Sequence, residues 1–157
     1  MGGFLIQNTT PGTKSRITFR VVSLLTLIVA FAQVTLGGVV RVTGSGLGCP
    51  DWPLCHGQII PPFDLATMIE YSHRLSGSLL GILTLLILFL AWWAYRTRPW
   101  VFIPCLTAMI VVIVAGIFGG VTVLTELAWG MRLIHLTLAE ILITILVIGN
   151  VAAWRHI

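Results

Sequence analysis

The chain has 157 residues, of which 57% are hydrophobic and only 9% are charged. That composition excludes an ordinary soluble domain, in which about 25% of residues are charged, and it predicts an integral membrane protein. The formal net charge of +4 does not indicate nucleic acid binding, because the basic residues stand beside apolar runs, as the positive-inside rule describes. We therefore expect a lipid bilayer around the chain and no nucleic acid partner.

Four apolar runs are each long enough to cross a membrane as a helix, which takes about 20 residues. They cover roughly residues 17–40, 70–95, 100–124 and 130–154. Little sequence remains for a soluble domain. We therefore predict an all-α membrane protein, with 1–16 as a polar cytoplasmic tail and 17–157 as a single four-helix transmembrane domain that carries an outer loop at 41–69. The first run is too long for a signal-peptide core and is expected to be retained.

The distribution of basic residues predicts how the chain is oriented in the cell membrane. Basic side chains precede or begin the first run, separate the second from the third, and end the fourth. They are Lys14, Arg16, Arg20, Arg96, Arg98 and Arg155. Because basic loops stay on the cytoplasmic side, we expect both termini and the 96–99 turn inside. The 41–69 loop and the 125–130 turn are then expected on the outer face.

The first and third helices end in the same way, which predicts an internal repeat. Gly37-Gly38-Val39 closes the first apolar run, and Gly119-Gly120-Val121 stands near the end of the third. In both cases a turn and a helix carrying a histidine near its start come next. We interpret this as a degenerate parallel repeat of two hairpins related by an axis along the membrane normal. A four-helix bundle with one histidine from each half is the expected result.

The start of the second helix carries a group of polar residues on one face. Glu70, His73 and Arg74 are spaced i, i+3 and i+4, and Gly77 and Gly81 follow on the same face as a smooth groove. A carboxylate, an imidazole and a guanidinium above such a groove suit a flat, anionic ligand that carries a metal, and haem is the obvious candidate.

A single histidine here would most simply be a buried polar residue. Two at matched depth on re-entering helices favour paired ligands, since ionisable groups inside membranes are usually functional. We therefore predict that His73 and His135 hold a haem iron. Glu70 and His73 also match one motif of the di-iron bundles, but those need it twice, and His135 has no glutamate three residues before it.

Other charged residues admit two interpretations each. Glu70 is a candidate cap for the start of its helix, where a carboxylate is favoured, and a candidate catalytic residue, and the two roles are compatible. Arg41, Arg74 and Arg132 are the basic residues expected outside, and they are candidates to bind haem propionates, which guanidinium groups pair with well. Glu140, deeper in the last helix, either makes a polar interhelical contact or lies on a proton path.

Cys49 and Cys55 lie in the loop that is expected outside, where disulfides persist. The plainest interpretation is a structural disulfide. A redox-active pair is the second, because a short, proline-bent loop favours a reducible bond. A zinc site with Asp51 and His56 is the third, although the spacing is not a standard one. The sequence leaves these three open.

The motifs together resemble a known family. The segments 38–55 and 70–74 resemble the amino-terminal half of haem A synthase, and 122–125 and 135–139 fit the same half. The resemblance runs from about residue 20 to the end. It implies oxidation of the C8 methyl of haem O to the formyl group of haem A by successive hydroxylations, with haem b as cofactor or haem O as substrate. Matched by position, His73 and His135 are implied as haem ligands, Glu70 as a catalytic carboxylate, and Cys49 with Cys55 as the outer-loop cysteine pair.

Usual members of that family have eight helices in two halves, each with its own histidine pair, whereas this sequence resembles one half. The intact ligand and cysteine sets favour a compact form over a fragment or an inactive relative. We therefore expect a homodimer or a larger even oligomer, with haem O synthase as a further partner. The alternatives are a bis-histidine, haem b-binding electron-transfer subunit without catalysis, and a thiol-oxidising membrane protein, whose usual Cys-x-x-Cys is absent.

Overall fold

The structure, a computed structural model, describes residues 12–155 and consists of four long helices. They are α1 (Thr13–Val42), α2 (Leu65–Tyr95), α3 (Pro99–Leu124) and α4 (Trp129–Arg155). Each is long and apolar enough to span a membrane, so the predicted all-α membrane fold is confirmed. Residues 1–11 of the predicted tail lie outside the described residues, and 13–16 already belong to α1. The outer loop is shorter than expected, since α2 begins at Leu65.

Local sequence explains where the helices begin and end. Asp64 precedes α2, and its carboxylate accepts a hydrogen bond from the backbone N–H of Thr67 at 3.1 Å, which is a standard N-cap. Pro99 opens α3, at a position where a missing N–H costs nothing. At the end of α1, Thr43 donates both its backbone N–H and its hydroxyl to the carbonyl of Val39.

The four helices form a ring of neighbours. α1 packs on α2, α2 on α3, α3 on α4 and α4 on α1, so α1/α2 and α3/α4 are two hairpins, here called hairpin 1 and hairpin 2. Within the described residues, the diagonal pairs α1/α3 and α2/α4 make no comparable contact. We call the end with the 43–64 loop and the 125–128 turn the loop end, and the opposite end the termini end.

The apolar core fills only one half of the bundle. Its buried members run from the termini end to the middle of each helix: Phe19 to Ala30 in α1, Leu80 to Tyr95 in α2, Val101 to Ala108 in α3 and Leu142 to Ala153 in α4. The loop half holds only separate buried apolar side chains outside this cluster, such as Ala115 and Val123 of α3. Protein interiors are normally close-packed, so a bundle half without its own apolar core is a feature expected of a ligand site.

Polar side chains tie α1 to α4 at the termini end. The hydroxyl of Ser23 donates to Oδ1 of Asn150 at 2.9 Å, and Nδ2 of Asn150 donates to the carbonyl of Ser23 at 3.2 Å. Arg20 lies over the ring of Trp154, 4.8 Å from its centroid. Such contacts hold membrane helices together where apolar burial gives no drive. The termini half is therefore where the four helices are most closely packed.

Candidate functional site

The predicted histidine pair lies in the loop half. His73 is in α2 and His135 in α4, which are diagonal partners in the ring, and both side chains are half-buried. Each imidazole faces the preceding helix of its own hairpin. The fold thus brings together, in the half without an apolar core, two histidines that are 62 residues apart in the sequence.

Each imidazole packs against a glycine of the preceding helix. A methyl group added at Gly37 would lie 3.1 Å from Cε1 of His73, and one added at Gly119 would lie 3.1 Å from Cε1 of His135. These glycines are the first of each Gly-Gly-Val segment. Two equal contacts at equivalent positions are what a repeat would produce, and the repeat itself stays a prediction.

The groove predicted beneath His73 is built differently. Gly77 faces the side chain of Gln33, with a Cβ position 3.0 Å from its Nε2, and Gly81 faces open space. The surface against the His73 ring is supplied by α1 through Gly37. The prediction placed it on α2 because helical spacing reports one helix at a time and carries no information on a neighbour.

Hydrogen bonding leaves nitrogen atoms of both rings available. Nδ1 of His135 donates to the carbonyl of Ala115 at 2.9 Å, which leaves Nε2 with its lone pair. That pattern is typical of metal-binding histidines. In His73, Nδ1 is buried without a hydrogen-bond partner, and Nε2 stands 3.5 Å from Nε2 of Gln33, too far for a good bond. An unsatisfied buried nitrogen is costly, so Nδ1 of His73 is an atom whose environment a partner group would improve.

Glu70 is part of a buried ion pair rather than a helix cap. Its Oε1 accepts from Nη2 of Arg74 at 2.6 Å and from Nε at 3.2 Å, and its Oε2 accepts from the backbone N–H of Cys49 at 2.9 Å. The side chain is almost fully buried. Because Asp64 occupies the N-cap of α2, the cap interpretation is wrong. The catalytic interpretation stays a prediction.

Arg74 clamps the disulfide loop. Besides its two bonds to Glu70, it donates from Nη1 to the carbonyls of Asp51 at 2.6 Å and Leu54 at 2.7 Å, and from Nη2 to the carbonyl of Cys49 at 2.7 Å. A guanidinium has five N–H donors, and all are used here. The predicted role of Arg74 in binding a propionate therefore does not fit this arrangement.

The other two arginines remain candidates for anionic groups. Arg41 ends α1 and Arg132 begins α4, both exposed at the loop end. Neither guanidinium makes a hydrogen bond or ion pair to the chain that the structure describes. Arg132 precedes His135 by three residues, the same spacing that separates Glu70 from His73. The two halves therefore place opposite charges at equivalent positions beside their histidines.

The cysteines form a disulfide within the loop. Cys49 and Cys55 are bonded, with 4.7 Å between their Cα atoms, and both are buried. Asp51 accepts the backbone N–H groups of His56 at 2.6 Å and Gly57 at 2.8 Å. The Gly57 bond lowers the pKa of Asp51 below its ordinary value.

The zinc interpretation is wrong. Among residues 12–155, no group of three or more His, Cys, Asp or Glu side chains could hold a metal ion. The ring nitrogen Nε2 of His56 instead bonds the carbonyl of Gly48 at 2.8 Å. The structural and the redox-active interpretations of this disulfide both stay predictions.

The loop reaches from hairpin 1 to hairpin 2. On α2, the hydroxyl of Thr67 donates to the carbonyl of Gly48 at 2.8 Å. On hairpin 2, the ring of Trp52 lies against Gly120, where an added methyl group would be 2.7 Å from a ring atom. No candidate residue in the sequence pointed to this contact, because no local pattern reports which glycine an aromatic ring will meet.

Glu140 lies apart from the histidine site. It is exposed near the middle of α4, and its carboxylate makes no hydrogen bond or ion pair to the part of the chain described. Thr144 donates to its backbone carbonyl at 2.9 Å. Both interpretations of Glu140, as an interhelical contact and as a proton path, stay predictions.

A bundle of four membrane-spanning helices, with two histidines in its coreless half beneath a disulfide-closed loop, is the class of protein that the fold and site define. The family model COX15-CtaA, described as cytochrome oxidase assembly protein, matches residues 20–156. The chain belongs to this family.

Individual relatives are haem A synthases that are longer than the matched region. That of Exiguobacterium sibiricum is 39% identical over 108 residues, covering 64% of this chain and 35% of the relative. Those of Bacillus licheniformis and Alkalihalophilus pseudofirmus are 33% and 28% identical, covering 76% and 87% of this chain and 42% and 46% of theirs. The chain thus spans less than half the length of these curated relatives.

Proposed function

We propose that this protein carries out a haem A synthase-like reaction, the oxidation of the C8 methyl of haem O to a formyl group, with His73 and His135 as the iron ligands. The observation that carries the proposal is the histidine pair: each ring has a nitrogen without a strong bond, each packs on a glycine, and both lie where the apolar core is missing. The family match and the haem A synthase relatives support the same reaction.

The residues present fit a haem group, held as haem b or bound as the substrate haem O. Nε2 of His135 is oriented by the Ala115 carbonyl, and His73 contributes a ring nitrogen that has no good partner. Arg41 and Arg132 would pair with propionates from the loop end. When bound, haem supplies redox-active iron, for which bis-imidazole ligation is a standard environment.

Glu70 is the residue placed to handle protons. It lies one helical turn from His73, with Oε1 paired to Arg74, while Oε2 accepts a single N–H. Oε2 is therefore the oxygen with capacity left for a proton. General acid–base help of this kind typically contributes about 10²–10⁴-fold in rate. Arg74 holds the carboxylate in position and holds the loop over it.

The surroundings follow from the same proposal. The loop end faces outward and the termini end faces the cytoplasm, since the basic residues gather at the latter. Haem O reaches the site from a haem O synthase. A second copy of this chain supplies the second histidine pair that the resemblance implies.

The test is co-expression of the full chain with a haem O synthase, followed by chromatography of extracted haems. Formyl haem or its hydroxylated precursor is expected. In parallel, His73→Ala and His135→Ala should each abolish the low-spin bis-imidazole spectrum, while His56→Ala, in the loop, serves as the matched control and should keep it. An unchanged low-spin spectrum in either of the first two variants would reject the ligand pair.

An electron-transfer subunit that binds haem b without modifying it is the second candidate. The observation that favours it is the engagement of Glu70, because both of its oxygens already have partners. Only unmodified haem in the extract, together with an intact low-spin spectrum, would select this candidate. Absence of haem would reject both.

A further inference from the structure

The two Gly-Gly-Val segments differ at their second glycine. Gly37 and Gly119, the first glycines, face histidines in the same way. Gly38 has nothing within 4 Å of a Cβ position, whereas at Gly120 three atoms of the Trp52 ring lie 2.7–3.0 Å from it. Gly120 is therefore a notch that one indole fills, and any side chain there would displace the ring.

The indole of Trp52 lies against hairpin 2, but the loop backbone beside Trp52 is bound to hairpin 1. Arg74 holds the carbonyls of Asp51 and Leu54, on either side of the indole. Arg74 directly follows His73, and Gly120 directly follows the glycine that faces His135. Trp52 thus contacts α3 through its indole, while the backbone on both sides of it is held to α2 by Arg74.

We propose that Trp52, seated on Gly120, closes the loop end of the two-histidine site and retains the planar ligand bound there. This inference rests on the proposed haem ligation by His73 and His135. The indole packs on Gly120 of α3 while 45% of the residue stays exposed, so apolar aromatic surface remains for contact with a macrocycle. Trp52 is a positioning residue, and it ligates nothing.

Gly120→Ala tests the proposal without replacing a proposed ligand, a cysteine or Trp52. The added methyl group meets a rigid ring at 2.7 Å, so the loop tip must lift. Gly38→Ala is the matched control, because it makes the same change at the equivalent position where space is open. Both variants gain the same helix propensity from the change of glycine to alanine, so a difference between them comes from the indole contact.

The measurement uses the full chain, purified in mild detergent and loaded with haemin. Transfer of haemin to excess apomyoglobin, followed in the Soret band, reports the rate of loss. We expect Gly120→Ala and Trp52→Ala to lose haemin about three- to tenfold faster, the size of one lost aromatic contact. Gly38→Ala and Trp52→Phe should stay close to the unchanged protein, and the low-spin spectrum should persist in all four.

A double variant gives a second readout. If both substitutions remove the same contact, Gly120→Ala should add no further acceleration in a Trp52→Ala background, since coupled sites are not additive. Additive rates would overturn the proposal, as would a wild-type rate in Trp52→Ala or an equal acceleration in Gly38→Ala. If Gly120→Ala fails to fold, Trp52→Ala decides alone. Absence of a low-spin spectrum from the unchanged protein would instead reject the proposed haem ligation.

Discussion

At the scale of single residues, the site depends on what the glycines lack. The His73 and His135 rings approach the backbone of α1 and α3 to a distance that a β-carbon would obstruct. The ring position, and with it the direction of the ring nitrogens, is therefore set by the absence of a methyl group. The site therefore requires the first glycine of each Gly-Gly-Val segment as much as it requires the histidine that this glycine faces.

Gly119→Ala should weaken the ligation by His135. The new methyl group would stand 3.1 Å from Cε1, so the ring must move by a few tenths of an ångström and its bond to Ala115 must stretch. We expect a loss of low-spin absorption and weaker haemin binding in titration. Gly116→Ala, on the same helix with nothing within 4 Å, is the control. Equal haemin affinity in the two variants would contradict the contact.

Arg74→Gln should destabilise the protein strongly. The change leaves Glu70 buried with only the Cys49 N–H as a partner and frees three loop carbonyls. Removing one member of a buried ion pair typically costs about 3–5 kcal/mol. Thermal unfolding measures the loss. Arg41→Gln, an exposed guanidinium without a partner among residues 12–155, should change little, and similar losses in both would show that the clamp contributes nothing.

Asp51 should make the loop sensitive to acid. The N–H of Gly57 lowers the pKa of the carboxyl in the folded loop, so the ionised form favours the folded state. This stabilisation is complete above the unfolded pKa of about 3.9 and is lost as the pH falls through the lower folded value. The protection of the Gly57 amide against hydrogen exchange, corrected for intrinsic rates, should fall in that range. In Asp51→Asn this pH-dependent fall in protection should disappear. If it persists, another titrating group causes it.

At the scale of elements, the helices could be predicted and the loop could not. Apolar runs of about 20 residues specify membrane helices almost by length alone, and all four predicted runs lie within α1 to α4. The start of α2 was placed five residues late, since Asp64 caps it ahead of the apolar run. The loop conformation depends on backbone carbonyls bound by Arg74. Every residue has such a carbonyl, so the sequence does not show which ones are bound.

Removal of the disulfide should separate its two interpretations. Cys49→Ser with Cys55→Ser opens a short loop with a sequence separation of 6, which predicts a loss of about 2 kcal/mol by loop entropy. Because Arg74 still holds the loop, we expect haem to stay bound. If the double variant makes as much haem A as the unchanged protein, the disulfide has a structural role only. Output lost with haem and fold retained would indicate electron transfer through the pair.

At the scale of the whole molecule, the bundle divides into a packed base and a site. The apolar core and the Ser23–Asn150 contacts lie in the termini half, and the histidines, arginines and disulfide loop lie in the other. The sequence predicted that both histidines lie at the loop end, because each stands near the start of a re-entering helix; their role as a ligand pair stays a prediction. It could not predict the contacts of Gly37, Gly119 and Gly120, which require α1 and α3 to meet other elements.

The surface of α4 bears on assembly. Glu140 is exposed near the middle of this helix, with Thr137 and Thr144 on the same side, whereas ionisable residues at membrane depth normally face a protein interior. A second copy packed on this face would enclose the carboxyl, and small or polar residues are what such membrane interfaces use. This gives the expected homo-oligomer a physical basis in the exposed face itself.

Mass measurement of the native protein in mild detergent should therefore give an even number of chains, with one bis-histidine haem per chain. Glu140→Leu should shift the population towards monomers, because it removes the polar group that the interface encloses. Ser78→Leu replaces an exposed polar residue of α2 and should leave the assembly intact. A monomer that still makes haem A would reject the oligomer as a requirement for activity. An oligomer unaffected by Glu140→Leu would place the interface on another face of the bundle.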